Sequence, residues 1–74
     1  MNLKERTFLR DLGDRIRERR VALKMTQEEL GRRCDLHRTF IGSVERGERN
    51  VAILNLREIA RALRCSIAVL LTGP

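Results

Sequence analysis

The chain has 74 residues, the size of one compact domain, and we expect residues 1–74 to form a single unit without a separate sensing or catalytic domain. Its 16 Lys and Arg residues outnumber 10 Asp and Glu residues and give a net charge of +6, which favours an anionic partner without identifying one. No apolar run reaches the length of about 18 to 20 residues that a membrane span requires.

The sequence offers few covalent or metal links to stabilise so small a core. Its only cysteines, Cys34 and Cys65, lie in apolar helical patterns, and no N-terminal secretory signal is visible, so we expect two buried thiols in a cytoplasmic protein. One histidine and two distant cysteines do not form a recognisable metal site, and no cofactor is indicated. Oligomerisation is the remaining source of stability that small domains commonly use.

A helical pattern runs through the whole sequence, and no stretch alternates as a strand would. We predict five helices, of which the first runs from about Glu5 to Leu23. Its apolar residues recur at helical spacing: Leu9, Leu12, Ile16 and Leu23. Arg20 stands where this series requires an apolar residue, so it is a candidate for a structural role.

The second helix has a clear start signal, because Thr26 can cap it and Glu29, three residues later, completes a capping box. The helix is broken near Asp35, which tolerates the left-handed conformation that reverses the chain. A third helix is predicted from about His37 to Arg46, with Gly47 as its C-terminal cap.

The fourth helix follows a polar loop, Glu48-Arg49-Asn50, and its apolar face is formed by Leu56, Ile59, Ala60 and Leu63. A short fifth helix starts near Ser66 and ends before Gly73-Pro74. It is apolar around most of its circumference, whereas a helix packed on one core needs only one apolar side. We therefore expect its outer side to meet a second subunit through Val69 and Leu71, with Ile53 near this interface.

Two short helices joined by a tight turn, from about Thr26 to Arg46, predict a helix-turn-helix whose later helix enters the DNA major groove. On a helical wheel the third helix has two opposite faces. The polar face contains Arg38, Thr39, Gly42, Ser43 and Arg46, and the apolar face contains Phe40, Ile41 and Val44. An arginine and two hydroxyls are suited to reading base edges, although a polar helix face is more often simply solvated.

Three spaced segments resemble the Xre/Cro/cI family of lambda-repressor-like domains: TQEEL at residues 26–30, LHRTFI at residues 36–41 and VERGERN at residues 44–50. The resemblance extends from about Leu12 to Leu70. It implies an all-α, five-helix lambda-repressor-like DNA-binding domain with its helix-turn-helix at helices 2 and 3.

Within this family, the stretch DLHRTFIGSVERGERN is similar to restriction-modification controller proteins, whose usual form is lDRTYISgiERGkRNp. The departures are His37 for Asp, Phe40 for Tyr, Gly42-Ser43 for Ser-Gly and Val51 for Pro. Because the first three fall on or beside the reading helix, the operator sequence does not follow from the resemblance.

The resemblance also implies a role for each matched residue. Base reading falls to Arg38, Thr39 and Ser43. Contacts to the DNA backbone are assigned to Gln27, Arg46, Arg49 and Asn50, with His37 as a cap or a further backbone contact. Gln27 is also expected to support the reading helix. Arg20 and Glu45 match a partly buried salt bridge that orients the reading helix without touching DNA.

The expected function is that of a homodimeric, sequence-specific transcriptional regulator on a pseudo-palindromic operator in double-stranded DNA. A controller protein would act on its own promoter and govern an endonuclease gene, activating at low occupancy and repressing at high, and Glu28 is a candidate contact for RNA polymerase. A generic Xre or prophage repressor and the antitoxin of a toxin-antitoxin pair are the alternatives. No nucleophile or acid/base pair indicates an enzyme, and we do not expect the protein to bind a membrane.

Overall fold

The computed structural model describes residues 1–73, which form five α-helices. They are α1 (Leu3–Ala22), α2 (Gln27–Cys34), α3 (Arg38–Glu45), α4 (Ile53–Ala62) and α5 (Ile67–Thr72). No strand occurs in this part of the chain, so the predicted all-α class is confirmed. Pro74, which was expected to follow the last helix, lies outside the described residues.

The start of α1 lies two residues before the predicted one. Asn2 caps the helix by accepting a hydrogen bond from the Glu5 amide at 2.8 Å, and the Glu5 carboxylate accepts from the Asn2 amide at 3.0 Å. This is a capping box, and it satisfies two amide groups that have no partner inside the helix. The apolar periodicity begins only at Leu9, which is why it predicted a later start.

The start of α2 and the turn after it agree with prediction. The Thr26 hydroxyl accepts from the Glu29 amide at 3.0 Å, and the Glu29 carboxylate accepts from the Thr26 amide at 3.1 Å. These hydrogen bonds with Thr26 lower the pKa of Glu29, because they stabilise its charged form. Asp35 ends the helix in the left-handed conformation, with φ of 58°.

Three helices end in a Schellman motif with a left-handed residue just beyond the cap. After α3, Gly47 has φ of 74°, and the amides of Gly47 and Glu48 donate to the carbonyls of Val44 and Ser43. Lys24 after α1 and Arg64 after α4 occupy the same position without being glycine, with φ of 59° and 58°. The predicted role of Gly47 is confirmed, whereas no glycine marks the other two ends.

The hydrophobic core receives side chains from all five helices. The fully buried ones are Ile16, Leu30, Ile41, Ile59, Leu63 and Leu70. The predicted apolar faces of α1 and α4 point into this core, although Leu23 is only partly buried. Because every helix contributes, the position of α3 depends on the packing of the whole domain.

Gly13 lets α1 and α3 approach closely. A Cβ atom built on Gly13 would lie 2.5 Å from the carbonyl oxygens of both Val44 and Glu45. No real Cβ contact is that short, so any side chain at this position would force the two helices apart. The end of α3 is thereby seated directly on the backbone of α1.

Two arginines of α1 secure the ends of the last two helices. Arg15 donates from Nη1 to the carbonyls of Leu70 and Leu71 at 3.2 and 3.1 Å. Arg19 donates from Nε and Nη2 to the carbonyl of Leu63 at 3.4 and 3.3 Å. These carbonyls belong to helix ends, where no intrahelical donor is available, so the arginines replace missing partners.

Two expectations about buried and exposed apolar residues need correction. Cys34 is buried, and this burial raises the pKa of its thiol, but Cys65 is only half-buried because it lies in the turn after α4. In α5, Leu71 packs partly on the core, so the helix uses more of its apolar surface inside the chain than expected.

Among residues 1–73, none of the helices combines the length and the apolar character that a membrane span requires.

Candidate nucleic-acid interface

The first turn of α3 is an exposed polar surface. His37 caps the helix, because its Nδ1 atom accepts from the Thr39 amide at 3.1 Å and lies 2.8 Å from the Thr39 hydroxyl oxygen. His37, Arg38 and Thr39 are all exposed. A short helix that presents such a turn beside a second short helix has the geometry of a helix-turn-helix reader.

A buried carboxylate, that of Glu45, links α3 to α1 and α2. Glu45 accepts two hydrogen bonds from Arg20, at 2.6 Å from Nε and 3.0 Å from Nη2, and a third from Gln27 Nε2 at 3.1 Å. Arg20 also donates to the Met25 carbonyl at 2.8 Å. The Glu45 side chain is 3% exposed and that of Arg20 12%, so water competes little for either charge.

This arrangement has an electrostatic consequence for Arg20. The hydrogen bond to Glu45 raises the pKa of Arg20 and outweighs the opposite effect of burial. Arg20 therefore stays charged, and the ion pair links α1 to α3 while Gln27 links α2 to the same carboxylate. The ion pair predicted between the first and third helices is present in the structure.

Gln27 lies at the first position of α2 and is half-buried. Its side chain was expected both to contact a phosphate and to support the reading helix. In the free protein its Nε2 atom is bonded to Glu45, and its amide lies over Gly42 of α3. The supporting role of Gln27 is therefore visible in the structure.

The helical wheel assigned too much of α3 to the exposed face. Gly42 and Ser43 are buried, because side chains from other elements cover them. A Cβ on Gly42 would meet the ends of the Arg46 and Gln27 side chains. The exposed polar face of α3 is therefore formed mainly by its first turn, together with Arg46 beyond its last turn.

The loop after α3 carries two exposed arginines in different settings. Arg46 forms an ion pair with Glu48, with Nε and Oε2 3.1 Å apart and both side chains more than half exposed. Arg49 donates from Nε to the Ser43 hydroxyl at 3.2 Å, and its Cζ atom lies 5.3 Å from the centre of the Phe40 ring. The next residue, Asn50, is exposed. The loop thus adds the charge of Arg49 beside α3, where Arg49 contacts Phe40 and Ser43.

The interface contains polar side chains from α2, α3 and the following loop. Of the residues predicted to touch DNA, the exposed ones are His37, Arg38, Thr39, Arg46, Arg49 and Asn50. Gln27 is half-buried and Ser43 is 8% exposed. Within residues 1–73 no group of His, Cys, Asp and Glu is arranged to hold a metal ion. The sequence did not predict that Phe40 would lie under Arg49, because the wheel placed it on the apolar face.

Comparison with known proteins identifies the family. The profile of the helix-turn-helix family matches residues 16–70, which is more than half of the chain. The chain belongs to this family. The match includes α2 and α3 entirely, so the exposed first turn of α3 lies in the helix-turn-helix itself.

Controller proteins and a phage repressor are similar to this helix-turn-helix protein. Control protein C.BamHI of Bacillus amyloliquefaciens is 46% identical over 52 residues, which are 69% of this chain and 64% of that protein. The structure of restriction-modification controller protein C.AhdI from Aeromonas hydrophila has 40% identity and a TM-score of 0.82, over 84% of this chain and 94% of that one.

The P22 c2 repressor in complex with a synthetic operator has 38% identity and a TM-score of 0.81, over 85% of this chain and 96% of that one. These similarities confirm the resemblance to lambda-repressor-like regulators and to controller proteins.

Proposed function

We propose that this helix-turn-helix protein is a homodimeric, sequence-specific regulator of transcription of the restriction-modification controller type. The observation that carries the proposal is the exposed first turn of α3, held in place by the buried pair of Arg20 and Glu45. The similarity to proteins named as controllers, C.BamHI and C.AhdI, supports the controller assignment. Such a protein would act on its own promoter and on an endonuclease gene.

Arg38 and Thr39 are the proposed base-reading residues. Both are exposed at the start of α3, the end that reaches deepest into the major groove. Arginine can donate two hydrogen bonds to guanine, and a threonine offers a hydroxyl and a methyl group to base edges. The burial of Ser43 separates it from this pair.

Contacts to the DNA backbone are assigned to residues on either side of these two. They are His37 at the cap of α3, Gln27 at the start of α2, and Arg46, Arg49 and Asn50 in the loop. Such contacts supply affinity and register and depend strongly on salt, but they carry little sequence information. The net charge of +6 favours approach to DNA in general.

A dimer would place two copies of α3 in successive turns of the major groove, about 34 Å apart. The largest exposed apolar residues on α4 are Ile53 and Leu54, at 61% and 62% exposure. Val69 and Leu71 of α5 are only half-buried and belong to a helix that also packs inward. We therefore assign the centre of the dimer interface to Ile53, with Leu54 beside it and Val69 and Leu71 as further contacts.

Activation would need a surface for RNA polymerase. Glu28 is exposed in the first turn of α2 and is our candidate for this contact. Glu28→Gln should abolish activation while repression is retained, since it removes the proposed polymerase contact without placing a positive charge beside the DNA backbone.

One observation favours a second candidate function, that of an antitoxin that holds a partner protein. Met1, Leu3 and Phe8 are 65%, 79% and 50% exposed near the start of α1, and an antitoxin needs an apolar patch outside the dimer interface. Co-expression with the neighbouring gene separates the two functions. A stable heterocomplex would favour the antitoxin, whereas a neighbouring methyltransferase or endonuclease gene would favour the controller.

Selection of bound sites from a random pool of duplex DNA tests the proposed function. We expect an enriched motif with two-fold symmetry and half-sites centred about 34 Å apart. Folded protein that enriches no motif would contradict sequence-specific binding, and a motif without symmetry would contradict the dimer. The Arg38→Ala variant is the matched control, because it should lose preference at one base pair of each half-site only.

A further inference from the structure

Phe40, Ser43 and Arg49 form a group at the junction of α3 and the following loop, here called the Arg49 cluster. The guanidinium of Arg49 lies 5.3 Å from the centre of the Phe40 ring, within the range of a cation–π contact. Its Nε atom donates to the Ser43 hydroxyl at 3.2 Å. An exposed loop side chain is thus attached to the reading helix at two points.

The hydrogen bonds of Ser43 determine which role its hydroxyl can take. Its single proton is donated to the Phe40 carbonyl at 2.7 Å, so the oxygen can only accept from a further partner. Arg49 is that partner, and the serine is 8% exposed. A base edge would therefore find neither a free donor nor accessible surface at Ser43.

Arg49 keeps its terminal donors available. It is exposed, and its two terminal amino groups make no hydrogen bond or ion pair within residues 1–73. Those amino groups can donate to two oxygens of one phosphate at the same time. By contrast, the neighbouring Arg46 already has an acidic partner, Glu48.

We infer that Ser43 is a positioning residue, which together with the Phe40 ring holds the guanidinium of Arg49 in the orientation that contacts DNA. The inference rests on the proposed function. A long exposed side chain loses much rotational freedom when it binds, and a side chain that is already held loses less. Removing the Ser43 hydroxyl should therefore weaken DNA binding by about three- to tenfold without changing the preferred sequence.

A double-mutant cycle on the selected operator tests this inference, with affinities measured by fluorescence anisotropy for Ser43→Ala, Arg49→Ala and the double variant. Ser43→Ala should weaken binding in the wild-type background and have no further effect in the Arg49→Ala background. It should also have no further effect with Arg49→Lys, which keeps the charge but lacks the Nε–H donor. Thr39→Ala is the matched control, since its loss should add to that of Arg49→Ala.

The outcomes that overturn the inference are specific. An equal loss for Ser43→Ala with and without Arg49, or a changed base preference at one position, would mean that Ser43 contacts DNA itself. Thermal unfolding of each variant checks the fold. If Ser43→Ala does not fold, Phe40→Leu replaces it in the cycle, because leucine stays apolar but lacks the aromatic ring.

A measurement without DNA separates this inference from the proposed function. In NMR spectra of the free protein, the Nε–H signal of Arg49 should be distinct and protected from exchange, and Ser43→Ala should remove both properties. An averaged, unprotected signal in the wild type would overturn the inference whether or not the protein binds DNA. A protected signal in a protein that enriches no DNA site would overturn the proposed function and, with it, the DNA-binding role of the cluster.

Discussion

Arg20 of α1 and Glu45 of α3 are joined by two hydrogen bonds, at 2.6 and 3.0 Å, and their side chains are only 12% and 3% exposed. One of the two carboxylate oxygens also accepts from Gln27 of α2. The Glu45 carboxylate therefore links α1, α2 and α3. The pair helps to hold the reading helix in place, although neither residue lies on its exposed surface.

Glu45→Ala should destabilise the domain by about 3–5 kcal/mol, because it leaves the Arg20 charge buried without a partner. Denaturant unfolding measures the change. Glu48→Ala removes one partner of an exposed ion pair and is the matched control, for which a loss of about 1 kcal/mol or less is expected. Equal losses of stability for the two variants would show that the buried Arg20–Glu45 pair matters no more to stability than the exposed Arg46–Glu48 pair.

Arg38→Ala and Arg49→Ala should weaken DNA binding in different ways. Arg38→Ala should relax discrimination at one base pair per half-site, at a cost of about 1–3 kcal/mol. Arg49→Ala should weaken binding to all sequences and lower the salt slope by about one, since it removes a phosphate contact. Affinities for the operator and for random DNA over a range of salt concentrations check both. An equal loss on both DNAs for Arg38→Ala would contradict base reading.

Ile53→Glu should shift the protein from dimer to monomer, because it places a charge in the centre of the proposed apolar interface. Sedimentation measures the oligomeric state, and operator binding should fall in parallel. The fold should survive, since Ile53 is 61% exposed in the single chain. Val21→Glu is a matched control, at 57% exposure on α1, and should stay dimeric. An unchanged dimer for Ile53→Glu would remove α4 from the interface.

Lys24→Gly should stabilise the domain by about 0.5–1 kcal/mol, because Lys24 adopts a left-handed conformation that favours glycine. Thermal or denaturant unfolding shows the gain. Arg17→Gly, at an exposed helical position of α1, should instead destabilise by about 1 kcal/mol. A loss of stability in Lys24→Gly would mean that the Lys24 side chain stabilises the fold by more than its left-handed backbone conformation destabilises it.

Stability should decrease in acid partly through Glu29. Its pKa is lowered in the folded state, so its contribution is present above the unfolded pKa of about 4.3 and is lost as the pH falls through the folded value. Glu29→Gln can still accept from the Thr26 amide but does not titrate. Unfolding curves from neutral to acidic pH should therefore be less pH-dependent for this variant. Equal pH dependence would assign the effect to other carboxylates.

Local signals in the sequence were sufficient for most of the secondary structure. Thr26, Asp35 and Gly47 each mark a helix end through a preference of one residue for one backbone conformation, and the structure contains all three ends as predicted. Lys24 and Arg64 end helices against their own preference, so packing of the neighbouring helices determines those turns. Such turns could not be predicted from residue types alone.

The interface was less predictable than the fold, because a helical wheel treats one helix as isolated. It placed Ser43 with the exposed residues, but Arg49 from the loop covers it. Arg20 was different, since its place in an apolar series already made it a candidate for a structural role, although the series did not name a partner. The identity of that partner, Glu45, came only from the family resemblance, because the residues are 25 positions apart.

In the proposed two-fold dimer, the close approach at Gly13 would have a consequence beyond one subunit. A methyl group at this position would have to displace α3 from α1, and the exposed first turn of α3 would move with it. In such a dimer α3 of the partner would be displaced in the same way. The distance between the two α3 helices, which must match the half-site spacing, would therefore change by both displacements. The absence of a side chain at Gly13 would therefore set the distance between the two reading helices of the proposed dimer.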